Sequence, residues 1–297
     1  MTTQIRVHTR RFLRTTPLRP RHRVLIGVFT ALLLCGPHLA YSEPNPTEAG
    51  SPACGETSSV PLATLGSDKE QRALLFKQSA ACVREGKARR AITLLSALIK
   101  ADPKDAAAYL NRGSVQATLG EMALAMSDYN TAISLDPGAV ESWYDRGTAL
   151  LRMGRYERAI PDLSEAIRLK PDFGLAYCNR GFASFQLGRY DEARADYTKG
   201  LEFDPKRLTY CYFSRGTLNL TTGEYEKAID DFTKALEQKP SDAIALSRRG
   251  QAYEGLGQRA RALDDFRAAL QLDPKLESAR EGVERLSDEQ KEPGGGD

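Results

Sequence analysis

The sequence predicts an all-α protein in which six helix-turn-helix units stack side by side as a solenoid. Across the 297 residues, proline recurs at intervals of 34 or 35 residues, at Pro103, Pro137, Pro171, Pro205, Pro240 and Pro274. The segments between these prolines are rich in Ala, Leu, Glu, Arg and Lys, with apolar residues at helical spacing. Each segment also carries a Gly near its middle. A period this constant over six units indicates a stacked repeat.

The units align in register when they are taken as residues 72–105, 106–139, 140–173, 174–208, 209–242 and 243–274. The fifteenth residue is Gly in every unit: Gly86, Gly120, Gly154, Gly188, Gly223 and Gly257. Because Gly tolerates a positive φ, we expect it to form the turn that separates two helices.

Each second helix is predicted to bury one face. The twentieth residue is always Ala, and a bulky residue follows four places later, on the same helical face: Leu95, Tyr129, Leu163, Tyr197, Phe232 and Phe266. Units two to six also carry Gly at the eighth place of the first helix. We expect these residues to form the core between the helices.

The units combine an early aromatic residue, two Gly, an Ala, a bulky residue and a closing Pro. Over about residues 70–274 this pattern closely resembles that of the tetratricopeptide repeat family. The resemblance implies a right-handed α-α superhelix whose concave face is lined by the first helix of each unit. Residues 275–286 resemble the capping helix that family members often add, so the predicted array spans residues 70–286. The Gly-rich tail, residues 287–297, is expected to be disordered.

Residues 1–42 are predicted to be a secretory signal peptide. They carry seven of the 42 Lys and Arg, none of the 39 Asp and Glu, an apolar run and a small-residue pattern before Glu43. We therefore expect export to the periplasm or cell envelope. An uncleaved anchor helix, which would tie the protein to a membrane, and an organellar transit peptide are the alternatives.

Residues 43–69 are rich in Pro, Ser, Thr and Gly and are expected to form a flexible linker. From Glu43 onward the chain is mildly acidic, because the leader holds an excess of basic residues. A mildly acidic array lacks the basic surface that binds the phosphate backbone of nucleic acid.

The residue inventory argues against an enzyme. The three His all lie in the leader, and the sequence has no Cys-x-x-Cys pair and no phosphate-binding loop. Asp and Glu recur at repeat-periodic places, as structural charges do. We therefore predict a protein without catalytic residues, metal site or cofactor.

Five Arg–Asp pairs are predicted to stabilise the units. In units two to six the seventh residue is Arg and the residue sixteen places later is Asp, whereas unit one has Gln78 and Leu94 there. The pairs are Arg112 with Asp128, Arg146 with Asp162, Arg180 with Asp196, Arg215 with Asp231 and Arg249 with Asp265. An inward Arg needs its carboxylate, because an unpaired buried charge is costly. A ladder of Arg for phosphate or carboxylate ligands is the alternative.

The resemblance places the partner in the groove formed by the first helices. The second, fifth, ninth and twelfth residues share one side of such a helix. The predicted groove residues are Tyr144, Leu151, Leu175, Cys178, Phe182, Phe185, Tyr210, Phe213 and Leu220, and the alternative is that the rings pack between neighbouring helices. Asn111 and Asn179 match part of an Asn ladder that grips an extended peptide in other members. No Lys occupies the fifth place, which argues against a clamp for a terminal carboxylate.

Two cysteine pairs lie within the residues that follow the leader. Cys54 lies in the linker and can swing toward Cys82, so we consider a disulfide between them, with two free thiols as the alternative. Cys178 and Cys211 differ by two residues in height on helices whose axes are ~8 to 10 Å apart. A disulfide needs Cα atoms within roughly 7 Å, which argues against this second bond.

The leading functional hypothesis is a non-enzymatic scaffold that binds a protein or peptide in the groove. An accessory array that presents substrates to a separate envelope enzyme, and a spacer with an unoccupied groove, are the other two. Co-purification from the envelope distinguishes the three.

Overall fold

The computed structural model describes Cys54, residues 69–206 and residues 208–288. These residues form thirteen α-helices and no strand. The helices are α1 (Lys69–Arg84), α2 (Ala88–Ala101), α3 (Ala106–Thr118), α4 (Met122–Leu135), α5 (Val140–Arg152), α6 (Tyr156–Leu169), α7 (Gly174–Gln186), α8 (Tyr190–Phe203), α9 (Thr209–Thr221), α10 (Tyr225–Gln238), α11 (Ala243–Gly255), α12 (Arg259–Leu272) and α13 (Glu277–Asp288). The predicted all-α fold is confirmed.

The helices pack as a one-dimensional stack. Each of α1 to α12 packs against its neighbours in sequence, and the first helix of one unit also touches the first helix of the next, from α3 through α11. The last helix, α13, packs against α11 and α12. Because contacts stay between neighbouring units, the array is a solenoid.

The turn inside each unit is formed by the predicted Gly. In all six units this residue has a φ between 68° and 79°, in the left-handed region that disfavours residues with a Cβ. The backbone therefore turns at the same place in every unit, and the second helix packs back on the first.

The predicted face of each second helix is buried. All six Ala at the twentieth place are fully buried, and so are the bulky residues four places later. The eighth Gly lets the first helix approach this face. At Gly181, a Cβ would lie 3.1 Å from the ring of Tyr197 and 3.1 Å from the backbone oxygen of Ala193. Even one methyl group here would force the two helices apart.

The helices extend slightly beyond the predicted ends of the array. Lys69, placed in the linker, belongs to α1, and α13 includes Ser287 and Asp288, which the sequence placed in the tail. Leu286 is buried in the last core cluster, so the helix continues just past it. The predicted leader, most of the linker and residues 289–297 lie outside the described residues. Within the described part of the chain, no helix is long and apolar enough to cross a membrane.

Candidate interaction surface

The predicted Arg–Asp pairs connect the two helices of each unit. Nε and Nη2 of Arg180 donate to the two carboxylate oxygens of Asp196, at 2.8 and 2.7 Å. The other four pairs are Arg112 with Asp128, Arg146 with Asp162, Arg215 with Asp231 and Arg249 with Asp265. Bidentate hydrogen bonds of this kind fix the relative orientation of the two side chains as well as their distance.

Each of these Arg side chains also reaches the preceding unit. Nη1 of Arg180 donates to Oγ of Ser164 at 3.0 Å, and the guanidinium lies over the ring of Tyr177. The equivalent acceptors in the other units are Ser96, Asn130, Thr198 and Thr233. The side chains therefore bind the protein's own groups, which argues against an Arg ladder for ligands. Sequence reasoning missed these acceptors, although a Ser, Asn or Thr recurs at the twenty-fifth place of each unit from one to five.

Unit one uses a different link. Arg72 donates to both carboxylate oxygens of Asp105, at 2.6 and 2.8 Å, and Asp105 also accepts from the backbone N–H of Ala108 at the start of α3. The carboxylate is thus a helix cap and an ion-pair partner at once. It links α1 of unit one to the start of α3, the first helix of unit two.

The structure corrects part of the predicted groove, because four of its nine predicted apolar residues are core residues. Tyr144, Leu151 and Cys178 are buried, and Phe182 is only 6% exposed, with its ring edge-on to Tyr156 of the preceding unit. These side chains therefore pack between neighbouring helices, which was the alternative to a groove position. A first helix of a solenoid touches two neighbours, so one face of it cannot be assigned to solvent from spacing alone.

The rest of the predicted set is half-buried and lies on α7 and α9. These residues are Leu175, Phe185, Tyr210, Phe213 and Leu220. Phe185 lies 5.8 Å from the ring of Tyr190, measured between ring centroids. Phe213 packs at 5.7 Å against Phe232 of the core, and Leu220 borders the same cluster. The half-buried apolar surface of α7 and α9 is called the inner patch below, defined by Leu175, Phe185, Tyr210 and Leu220.

The two Asn side chains are used within the protein, which corrects their assignment to a peptide-gripping ladder. Nδ2 of Asn111 donates to the backbone oxygen of Ala107 at 2.8 Å. Nδ2 of Asn179 donates to Thr148 and Tyr144, and its Oδ1 accepts from the hydroxyl of Tyr210 at 3.0 Å. Both Asn are buried. Asn179 therefore ties α5, α7 and α9 together.

Asp145 is a buried carboxyl that sequence reasoning did not single out. It is 2% exposed, accepts a hydrogen bond from Ser114 at 2.6 Å, and its Oδ1 has no partner within the described part of the chain. Burial raises its pKa to about 8, against the lowering effect of the Ser114 bond, and Glu141 adds to the rise. The protonated form is thus the favoured one in the folded array.

Both cysteine pairs are joined by disulfides. Cys54 is bonded to Cys82, with a Cα–Cα distance of 4.6 Å, so this residue of the predicted linker is fixed to α1. Cys178 is bonded to Cys211 at a Cα–Cα distance of 5.6 Å, and the expectation that these two were too far apart was wrong. Cα atoms that face each other lie closer together than the helix axes do, because each Cα lies about 2.3 Å from its own axis.

No group of His, Cys, Asp and Glu among the described residues is arranged to hold a metal ion. The inner patch is apolar, with hydroxyl and amide groups around it. Apolar side chains bordered by polar groups are common at surfaces that contact other proteins.

Solved structures with the same architecture have low sequence identity to this chain. YrrB, described as a TPR protein with an unusual peptide-binding site, is 22% identical with a TM-score of 0.55, covering 64% of this chain and 97% of its own. PilF of Pseudomonas aeruginosa is 21% identical with a TM-score of 0.66, covering 74% of this chain and 98% of its own. MamA is 26% identical with a TM-score of 0.52, covering 57% of this chain and 92% of its own.

A comparison with curated protein sequences gave no match. The family model for the tetratricopeptide repeat matches residues 81–140, 144–207 and 213–277. These matches span more than half of the chain and follow the repeats described above. The chain therefore belongs to the tetratricopeptide repeat family.

Proposed function

We propose that this protein is a non-enzymatic scaffold that binds a protein or peptide segment along its inner face, in the periplasm or cell envelope. The array has the fold of a protein-interaction scaffold. The observation that carries the finer proposal is the inner patch, where four large side chains of α7 and α9 remain partly in water.

The chemistry of the inner patch favours a partner with apolar side chains. Leu175, Phe185 and Leu220 offer apolar surface, and Tyr210 adds a ring whose hydroxyl is held by Asn179. Apolar surface that stays exposed in clusters marks interaction sites more often than scattered residues do. Rings already held in place lose little freedom on binding, which favours affinity.

Two observations support an extracytoplasmic location. The leader has the order of a secretion signal, and two disulfides join four of the five cysteines. Disulfides persist in oxidising compartments and are rare in the cytosol. Fractionation with N-terminal sequencing tests the location: a chain that starts near Glu43 in the envelope fraction supports it, and an intact Met1 chain in the cytosol contradicts it.

Site-specific photo-crosslinking in the envelope tests the surface. A photoreactive amino acid in place of Phe185 is expected to capture a partner. The same amino acid in place of Leu124, which is 54% exposed on the second helix of unit two, serves as the matched control and is expected to capture none.

Capture at Leu124 with none at Phe185 would contradict binding at the inner patch. If the captured partner is an enzyme whose activity depends on the array, the protein presents substrates rather than holding a non-enzymatic client. Either partner must lose its crosslink when Leu220 is also changed to Ala, because Leu220 belongs to the same patch.

A further inference from the structure

The junction between units four and five differs from the other junctions in its side chains. Cys178 on α7 and Cys211 on α9 are both 0% exposed and joined by a disulfide between first helices of adjacent units. The third residue of units two, four and six is Ala, and Cys211 takes that place in unit five. Unit four is also longer than units one, two, three and five by one residue, which falls just before α9.

The neighbouring helix leaves room for this bond. A Cβ on Gly200 of α8 would lie 2.6 Å from Sγ of Cys178 and 2.8 Å from the backbone oxygen of Gly174. The equivalent residue is Ala in units two, three, five and six. Unit four therefore lacks a methyl group at the place where the sulfur atom lies.

The disulfide is adjacent in sequence to a polar network across three units. Asn179 follows Cys178, and Tyr210 precedes Cys211. The Tyr210 hydroxyl donates to Oδ1 of Asn179 at 3.0 Å and to the backbone oxygen of Leu175 at 3.2 Å. Asn179 in turn donates to Tyr144 at 3.2 Å on α5. A shift of α9 along α7 would break the Tyr210 bonds.

We propose that the Cys178–Cys211 disulfide is a conformational lock, which holds α9 against α7 in the register that joins Tyr210, Asn179 and Tyr144. Oxidation therefore fixes the middle of the inner face before any partner arrives. Bond formation removes one proton and one electron from each thiol. The electrons pass to the disulfide of a thiol-disulfide oxidant through a mixed disulfide. The lock does not depend on what the face binds, so it can fail while the proposed function stands.

Hydrogen exchange of the oxidised full chain tests the lock. In the variant Cys178→Ala/Cys211→Ala, we expect backbone amides of α7 and α9 to exchange at least about tenfold faster than in the wild type. The reason is that loss of a disulfide typically lowers stability enough to increase the population of the open state by about tenfold or more. Exchange in α3, α4, α11 and α12 should stay unchanged. The matched control, Cys54→Ala/Cys82→Ala, should accelerate exchange near α1 only. Unchanged exchange in α7 and α9 would overturn the lock, and so would loss of protection throughout the array.

A second variant tests the coupling to the network. Tyr210→Phe removes only the hydroxyl, and with the disulfide present it should accelerate exchange at the start of α9. In the Cys178→Ala/Cys211→Ala background the same change should add nothing, because the register is already free. Equal acceleration in both backgrounds would show that the bond and the network are independent, and the proposal would then be wrong.

Discussion

Two neighbouring rows of side chains on the first helices behave in opposite ways. The seventh residue is Arg in units two to six and always makes the same bonds, to an Asp of its own unit and to a polar group of the preceding one. The sixth residue varies among units two to six, where it is Asn111, Asp145, Asn179, Ser214 and Arg248. Asn179 bridges two tyrosines, Asp145 is a buried acid, and burial lowers the pKa of Arg248.

The sixth and seventh residues of the first helices therefore have different roles in the array. The Arg side chains of the seventh row make the same bonds in units two to six. These bonds hold the two helices of a unit together and attach the unit to the preceding one. In the sixth row, Asp145 and Asn179 bond to neighbouring first helices, whereas Asn111 bonds to its own helix, so the effect of this row differs from place to place. Changes in the seventh row should therefore cost stability at any unit, whereas changes in the sixth row and the inner patch should have effects specific to their place.

The largest expected effect is loss of an Arg in the seventh row. Arg180→Met removes the partner of Asp196, whose side chain is 11% exposed, and leaves a nearly buried carboxylate unpaired. We expect a loss of ~4 kcal/mol in the free energy of unfolding, measured by urea titration. Arg168→Met breaks an exposed ion pair with Glu165 and is the matched control, which should leave the urea midpoint unchanged.

The pair Arg180→Met/Asp196→Leu should lose less stability than Arg180→Met alone, because no buried charge is then left uncompensated. If the double variant loses the sum of the two single losses, the contribution does not come from pairing. The distinct roles of the two rows would then have to be abandoned.

The second largest effect is expected at Phe182, which the sequence placed in the groove. Phe182→Ala should cost ~3 kcal/mol of stability, because it empties a buried space between two units. Phe185→Ala, one turn later on the same helix, is the matched control and should cost much less, since its ring is half-buried. Equal losses of stability in thermal or urea unfolding would contradict the distinction between core and inner patch.

A pH dependence is expected from Asp145 in the sixth row. Its pKa is about 8 in the folded array, against a usual value near 3.9 in an unfolded chain. Below the unfolded value the carboxyl is neutral in both states, so its contribution to stability is fully present. As the pH rises toward about 8, the unfolded chain binds fewer protons than the folded one, and stability falls. Asn cannot ionise and should abolish this loss.

We therefore expect Asp145→Asn to be more stable than the wild type by ~2 kcal/mol or more near pH 8, with the advantage shrinking toward pH 4. Asp191→Asn, at an exposed place on α8, is the control and should not change the pH profile. Parallel urea midpoints of wild type and Asp145→Asn across this range would show that Asp145 is charged in the fold.

The repeated features were the ones that the sequence could predict. Gly at the turn, Ala at the twentieth place and the Arg–Asp spacing recur in five or six units. A residue that occupies such a place by chance in one unit would not recur in the others. The bonds of Asp145, Asn179 and Tyr210 each occur once, and no periodicity reports them. Their geometry depends on how far neighbouring first helices approach, which the sequence does not state.

The disulfide at Cys178 illustrates the same limit. The spacing along the helices and between their axes does not decide whether two particular Cα atoms face each other, so the bond was not predicted. The relevant signal was Gly200, the one Gly in a place where units two, three, five and six have Ala. Single departures from a repeat are therefore as informative as the repeat itself. The predicted groove contained too many residues for the converse reason, since helical spacing does not reveal which side chains a neighbouring unit covers.

The most direct test measures partner affinity and stability together for Phe185→Ala and Arg180→Met. We expect Phe185→Ala to weaken binding of the crosslinked partner by ~1.5 kcal/mol, as removal of an aromatic anchor from an interface commonly does, with little change in the urea midpoint. Arg180→Met should lower the midpoint and leave the affinity per folded molecule unchanged. Unchanged affinity for Phe185→Ala, together with a loss of affinity for folded Arg180→Met, would contradict the division between the seventh row and the inner patch and place the binding surface elsewhere.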